Sequence, residues 1–396
     1  MRFSTDSLIG VVGAGAMGAG IAQVAAVAGH RVVLADASAA SIERARAGHA
    51  KALARDVEKG RRTIADADAV LARLTYVAGA DADALAAFAP CALVIEAIVE
   101  DLAIKRALFT TLESIVAPDA VLASNTSSLS IAALAGAVQR GERVIGVHFF
   151  NPAPVMPLVE IIPAMGTDAT LATDVRALVD AWGKVTVRAS DTPGFIVNRI
   201  ARPFYGEALR IREEQLADCA TIDWAMRDLG GFRMGPFELM DFIGHDVNYA
   251  VTCSVFEAMS YDPRYRPAIT QRRLVESGWL GRKTGRGYYD YREGAVRPEP
   301  VRDETLGRAI LGRVLAMLVN EAVDAVHYGV ASPADIELAM TKGVNYPRGL
   351  LAWGDALGPA QVLATLEALQ QDYAEDRYRA SVRLRRLVRE GGSLLS

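Results

Sequence analysis

The 396-residue sequence predicts a parallel α/β domain followed by two all-helical modules. Three observations carry that expectation. Short Val/Ile/Leu/Ala runs alternate with helix-like stretches through about residue 150, as buried parallel strands and their crossovers require. The pattern turns all-helical after Asp191-Thr192-Pro193-Gly194. The helical part then repeats itself at a fixed offset.

The first strand, Leu8 to Val12, runs into Gly13-Ala14-Gly15-Ala16-Met17-Gly18, and a helical run follows. A G-x-G-x-x-G between strand and helix is the dinucleotide fingerprint of a Rossmann-type domain. Gly13 permits the tight turn, Gly15 leaves room for a pyrophosphate, and Gly18 lets the helix pack close to the strand. Ala16 and Met17 sit at the helix N-terminus, whose free N–H groups suit phosphate. Eighteen residues after Gly18, Asp36 closes the second run, Val32 to Ala35. A carboxylate there accepts from both ribose hydroxyls of NAD and repels a 2′-phosphate. NAD is therefore the expected cofactor.

Composition narrows the partners. A net charge of −4 gives no reason to expect nucleic acid or an anionic membrane surface. Cys91, Cys219 and Cys253 are too scattered for a disulfide framework or a metal site, and no metal is expected. Residues 7–29 carry no charge, but six glycines and Gln23 interrupt them, as in a buried strand–loop–helix unit. A soluble cytoplasmic protein is the expectation.

Further strands are expected at 31–35, 73–77, 92–96, 120–124 and 143–149. The long insert 38–72 reads as two helices carrying Lys51, Arg55, Lys59, Arg61 and Arg62. Such a run is ordinarily a solvated face, but beside a ligand site it can hold a phosphate-bearing handle. Ligands of open α/β sheets sit at strand carboxyl ends. Glu96, Glu100 and Lys105 follow the fourth strand and Ser124 to Ser128 the fifth, so both groups are candidates.

His148 stands out among five histidines because it lies in an apolar strand, Val144 to Phe149, ahead of Asn151-Pro152. His30, His49, His245 and His327 read as surface or packing residues. Glu160 lies in the next strand, Leu158 to Ile162, beyond a Pro-rich loop that can set the two side by side. A buried glutamate beside a buried histidine orients the ring and stabilises its protonated form.

A further helix and strand complete the first domain, 1–190. Helices are then expected at 195–216, kinked at Pro203, and at 221–229, 236–259 and 267–277. Asn198 lies one turn into the first. A shift of 114 pairs Arg199 with Arg313, Glu207 with Glu321, Ala208 with Ala322 and Ile222 with Ile336. It also pairs Met226 with Met340, Gly235 with Gly349, Asp241 with Asp355 and Gly244 with Gly358, while Asn198 becomes Gly312. The expected organisation is a first helical copy at 191–290, a linker at 291–308 and a degenerate second copy at 309–396.

The segments GAGAMGAGIA, IEAIVEDLAIK, ASNTSSLSI, GVHFFNPAPVMPLVEII, DTPGFIVNRI, GPFELMDFIG and GRKTGRGYYDY resemble the L-3-hydroxyacyl-CoA dehydrogenase family over nearly the whole chain. The likeness is strongest to bacterial 3-hydroxybutyryl-CoA and 3-hydroxyadipyl-CoA dehydrogenases with tandem C-terminal domains. It implies helical modules of the 6-phosphogluconate dehydrogenase C-terminal type. It implies NAD-linked oxidation of an acyl-CoA in fatty-acid β-oxidation or phenylacetate degradation. His148 matches the family's base, Glu160 its partner, and Ser127 and Asn198 the side chains that hold the substrate's oxygens. Glu100, Lys105, Asn151 and Lys283 match cofactor contacts. Lys59 matches a lysine set against coenzyme A, although a polar neighbour used by some members is Ala52 here. Single-module members pair their helical domain with a second subunit's, so the tandem copies imply an intramolecular pseudo-dimer, with further homo-oligomerisation open. Two other readings stand beside this one. One is a dehydrogenase of a free hydroxy acid or sugar acid, and the other is a non-enzymatic NAD-binding relative.

Overall fold

A computed structural model describes residues 2–396, which divide into two compact units, residues 2–192 and Pro193–Ser396. The first unit is built on an eight-stranded sheet ordered β3-β2-β1-β4-β5-β6-β7-β8. Its strands are β1 Ile9–Val12, β2 Val32–Asp36, β3 Leu74–Ala78, β4 Leu93–Glu96, β5 Val121–Ser124, β6 Val144–Phe149, β7 Leu158–Pro163 and β8 Val185–Arg188. All neighbours run parallel except β6 and β7. β1, β4 and β5 are buried at every position, which is why they read as continuous apolar runs instead of alternating ones. The chain order reverses between β1 and β4, so their carboxyl ends form the switch point where such sheets bind ligands.

Helix α1, Ala16–Val27, rises directly from the glycine loop. The insert forms two helices, α2 Ala39–Glu58 and α3 Ile64–Ala72. Thr63 and Asp66 close a reciprocal capping box that fixes the start of α3.

The two helical copies share the second unit as one body. Its first helix is broken into Val197–Ile200 and Arg202–Glu213 just ahead of Pro203. The segment expected as one helix at 236–259 is two, Pro236–Ile243 and His245–Ala258. Gly244 adopts φ +100° between them, a conformation open to glycine and unfavourable for other residues. The second copy opens on Glu304–His327, capped by Asp303, so the linker ends earlier than the expected 308.

The repeat holds in element bounds and in how the helices are capped. Cys219–Trp224 and Pro333–Leu338 each run into a wide π turn, and Pro236–Ile243 matches Leu350–Leu357 at the same shift. Asp223 accepts from the N–H groups of Phe237 and Glu238; Glu337 does the same for Leu351 and Ala352. Gly358 takes φ +90° where Gly244 takes +100°.

The copies are joined by an exchange of ion pairs. Arg199 Nε donates to Glu321 at 2.6 Å, and Arg313 Nε donates to Glu207 at 2.9 Å. Tyr265 OH donates to Glu321 and Tyr378 OH to Glu207, at 2.5 and 3.0 Å. Both glutamates are fully buried. Burial opposes the ionisation of Glu321, but Arg199 and Arg264 outweigh it and hold its carboxyl below the ordinary range. Phe204 and Phe232 of the first copy pack against Tyr346 of the second, and Phe232 also stacks on Trp353. No helix among the described residues is long and apolar enough to cross a membrane.

Candidate active site

The glycine loop has the shape a dinucleotide requires. Gly13 holds φ +104°, and a Cβ there would meet the Ala97 carbonyl oxygen at 2.4 Å. A Cβ on Gly18 would meet the Gly13 oxygen at 1.8 Å, so only glycine allows this approach of α1 to β1. A Cβ on Gly15 would meet nothing within 4 Å: that glycine keeps its outer side open instead of relieving a clash. Gly15 and Ala16 are exposed, Met17 is half-buried, and no side chain caps α1. The first-turn N–H groups therefore remain available to an anion.

Asp36 ends β2 beside this loop. Its Oδ2 accepts from Ala14 N–H at 2.7 Å and its Oδ1 from Ser38 N–H at 2.8 Å, tying the carboxylate to the loop it serves. A cavity of about 500 Å³ opens alongside, lined by Gly15, Ala16, Gln23, Arg44, His49 and Pro154 among others. His49 is held by Tyr76 OH and the Ala19 carbonyl, both at 2.8 Å, and burial lowers its pKa. Arg44 and His49 reach the cavity from α2. Arg44, Lys51, Arg55 and Lys59 follow one another along α2 and its C-cap at intervals of seven, four and four residues, so they form one basic stripe. Arg61 and Arg62 turn instead to Asp56, at 3.3 and 3.8 Å.

At the ends of β4 and β5 the carboxylates form a hub. Glu96, fully buried, accepts from Lys105 Nζ at 2.6 Å, Ile98 N–H at 2.7 Å and Ser124 Oγ at 2.6 Å. Lys105 is 1% exposed and also reaches Glu100 at 3.1 Å. Its ammonium thus faces carboxylates, not solvent. Glu100 accepts from Thr126 Oγ1 at 2.6 Å and Ser127 N–H at 2.9 Å. Burial disfavours its charge, but Lys105 and these donors prevail and depress its pKa. Ser127 is thereby fixed by its backbone, half-buried at the carboxyl end of β5.

His148 and Glu160 lie directly opposite each other in the antiparallel β6–β7 register. His148 Nδ1 donates to Glu160 Oε2 at 2.6 Å. The histidine is 6% exposed and the glutamate 0%. With Nδ1–H given to the carboxylate, Nε2 is the basic nitrogen of the neutral ring. Asn125 Oδ1 accepts from Phe149 N–H at 2.9 Å, fastening β6 next to the histidine.

Of the remaining expected residues, Asn151 is exposed just past β6 and Lys59 is exposed at the end of α2. In the second unit, Asn198 lies in Val197–Ile200, and Lys283 pairs with both Asp246 oxygens at 2.5 and 2.6 Å. Sequence reasoning did not single out Asn125, Arg44 or His49 as site residues. Asn125 stood within a noted polar cluster, and Arg44 shares the spacing of the basic run.

Models of the 3-hydroxyacyl-CoA dehydrogenase NAD binding domain and C-terminal domain match residues 8–192 and residues 194–291 plus 310–393, respectively. The chain is 41% identical to 3-hydroxyadipyl-CoA dehydrogenase of Escherichia coli K12, covering 97% of this chain and 98% of that one. A crystal structure of 3-hydroxybutyryl-CoA dehydrogenase from E. coli K12 is similar with a TM-score of 0.89 at 39% identity, over 97% of this chain and 98% of that chain. An (S)-3-hydroxybutyryl-CoA dehydrogenase from Ralstonia eutropha matches 73% of this chain with all of its own, at 40% identity and a TM-score of 0.69.

Proposed function

The chain belongs to the 3-hydroxyacyl-CoA dehydrogenase family, and from that premise we propose how its residues divide the work. It is an NAD-dependent oxidoreductase that interconverts L-3-hydroxyacyl-CoA and 3-ketoacyl-CoA. NAD, when bound, supplies the hydride acceptor. His148 Nε2 takes the proton of the substrate's 3-hydroxyl as the carbon–hydrogen bond breaks, and returns it in the reverse direction. Glu160 holds Nδ1–H and offsets the positive charge that the ring acquires. Ser127 and Asn198 hold the substrate's oxygen and fix which face of the carbon is presented. Gly13, Gly15, Ala16, Met17 and Gly18 receive the pyrophosphate and Asp36 the ribose. Glu100, set by Lys105, together with Asn151 and Lys283, completes the cofactor contacts. The basic stripe from Arg44 to Lys59 receives the phosphates of coenzyme A.

The observation that carries this reading is the buried His148–Glu160 pair in register in the same unit as the glycine loop. The test is NADH formation from a panel of 3-hydroxyacyl-CoA substrates by the wild type and His148→Gln. Turnover that His148→Gln loses by at least a thousandfold supports the reading. Undiminished turnover refutes the base assignment.

The second helical copy serves as a built-in partner for the first. The exchanged Arg199–Glu321 and Arg313–Glu207 pairs support this, because each crosses from one copy to the other. The same exchange supports reading the helical unit as a catalytic copy and a supporting copy beside the nucleotide domain.

A further inference from the structure

Arg202 is a buried cation without a carboxylate. It is 7% exposed, and no acidic side chain among the described residues lies within ion-pair distance of it. Its Nε donates to the Asn198 carbonyl oxygen at 2.9 Å and its Nη1 to Thr252 Oγ1 at 3.1 Å. Its guanidinium carbon lies 5.0 Å from the centre of the Tyr205 ring. Nη2 makes no hydrogen bond within the described residues. Buried arginines elsewhere in this unit are neutralised: Arg199 by Glu321, Arg264 by Glu321 and Asp324, Arg313 by Glu207 and Glu214. An unneutralised guanidinium is costly to bury and is a strong receptor for an anion.

The repeat separates function from packing at this point. The shift of 114 turns Asn198 into Gly312, Arg202 into Ala316 and Thr252 into Leu366, while Arg199, Glu207 and Asp241 keep their counterparts. The copy that lacks the substrate-holding asparagine lacks the arginine and its threonine as well. Asn198 and Arg202 are four residues apart, on either side of the break at Ala201, so their backbones are separated by on the order of 6 Å. In a six-carbon acyl chain the 3-carbon and the terminal carboxyl carbon are three bonds apart, about 4 Å. A group that holds the 3-oxygen and one that holds a terminal carboxylate must be spaced on that scale.

We propose that Arg202 binds a second carboxylate at the far end of the acyl chain, which makes this enzyme selective for a 3-hydroxy dicarboxylic acyl-CoA. This rests on the dehydrogenase reading and on Asn198 holding the substrate. Of the two acyl groups named for the E. coli relatives, it favours adipyl, which is two carbons longer than butyryl and ends in a carboxylate.

The test pairs 3-hydroxyadipyl-CoA with 3-hydroxyhexanoyl-CoA, equal in length and differing in carboxylate against methyl. The wild type should favour the adipyl substrate at least tenfold in kcat/KM. Arg202→Met should collapse that ratio by about tenfold to a hundredfold, the worth of a charge-assisted hydrogen bond. Arg202→Lys should retain part of it and serves if the methionine variant does not fold. A wild type without preference overturns the proposal. So does a variant that loses both substrates in equal proportion, which is what a purely structural hold on the Asn198 carbonyl would give. A wild type that turns over neither substrate, nor any other 3-hydroxyacyl-CoA, refutes the dehydrogenase reading itself.

Discussion

Replacing Glu160 with glutamine tests whether the buried carboxylate works on the proton or merely fills space. The substitution keeps the side-chain volume and places a neutral amide opposite His148 Nδ1, where a carboxylate now accepts at 2.6 Å. At 0% exposure no solvent dipole replaces the lost charge. A charge-assisted hydrogen bond contributes about 1.5–3 kcal/mol, so weakening the developing imidazolium by that amount slows turnover about ten- to a hundredfold. A second loss adds to it. Glutamine can also donate to Nδ1, which moves the ring proton to Nε2 and leaves an acid where a base is needed. Wrong-tautomer effects of this kind reach about 10⁴. We therefore expect kcat to fall by about 10² to 10⁴ while KM changes little, since the ring's charge develops only as the proton moves. Glu160→Asp, which keeps the charge but shortens the reach, should lose less. Steady-state NADH formation reads all three, with thermal melting to establish folding. A rise in KM at constant kcat would refute the reasoning, as would an aspartate variant worse than the glutamine one.

Three further outcomes are expected. Asp36→Ala should weaken NAD binding about tenfold and narrow the preference over NADP, as measured by cofactor titration; wild-type binding of NADP equal to that of NAD would defeat the argument. Glu321→Gln should destabilise the second unit by about 3–5 kcal/mol in denaturant titrations at neutral pH, because Arg199 and Arg264 would stay buried with less to face. Since the folded protein holds the Glu321 carboxyl below its ordinary pKa, its contribution is complete above the unfolded value and lost as pH falls through the folded one. The variant should therefore show a shallower loss of stability in acid, and an unchanged acid limb would exclude the ion-pair account. Truncation after residue 295 should uncover Phe204 and Phe232 and raise association or aggregation in light scattering at matched concentration. Unchanged scattering would end the built-in-partner idea.

Local pattern was enough for the nucleotide domain. Each of the first six strands starts one residue after the expected position, because the apolar run includes the flanking residue that leads into the strand. The glycine loop, Asp36 and the His148–Glu160 register were all legible, since each depends on residues close in the chain or on a short loop. What escaped depends on distance or on one backbone angle. Gly244 sits in a run that is helix-compatible on both sides, and only its φ of +100° breaks it. The Glu96 hub gathers residues 96, 105 and 124 from three elements. The repeat was visible as an offset, but an offset does not say that Arg199 pairs with the other copy's glutamate. Arg202 was one arginine among many until its surroundings showed no acid.

The exchanged ion pairs also set a timetable for biosynthesis. Arg199 waits for a partner 122 residues further along, and Glu207 for one 106 residues away. At about 5–20 residues per second a ribosome needs roughly 5–25 s to deliver them, after the nucleotide domain has emerged. For that interval Arg199 lacks its carboxylate, Glu207 has only Arg210, and the rings of Phe204 and Phe232 stay uncovered. A nascent chain stalled near residue 295 should therefore be a strong client for chaperones, whereas the finished chain should not.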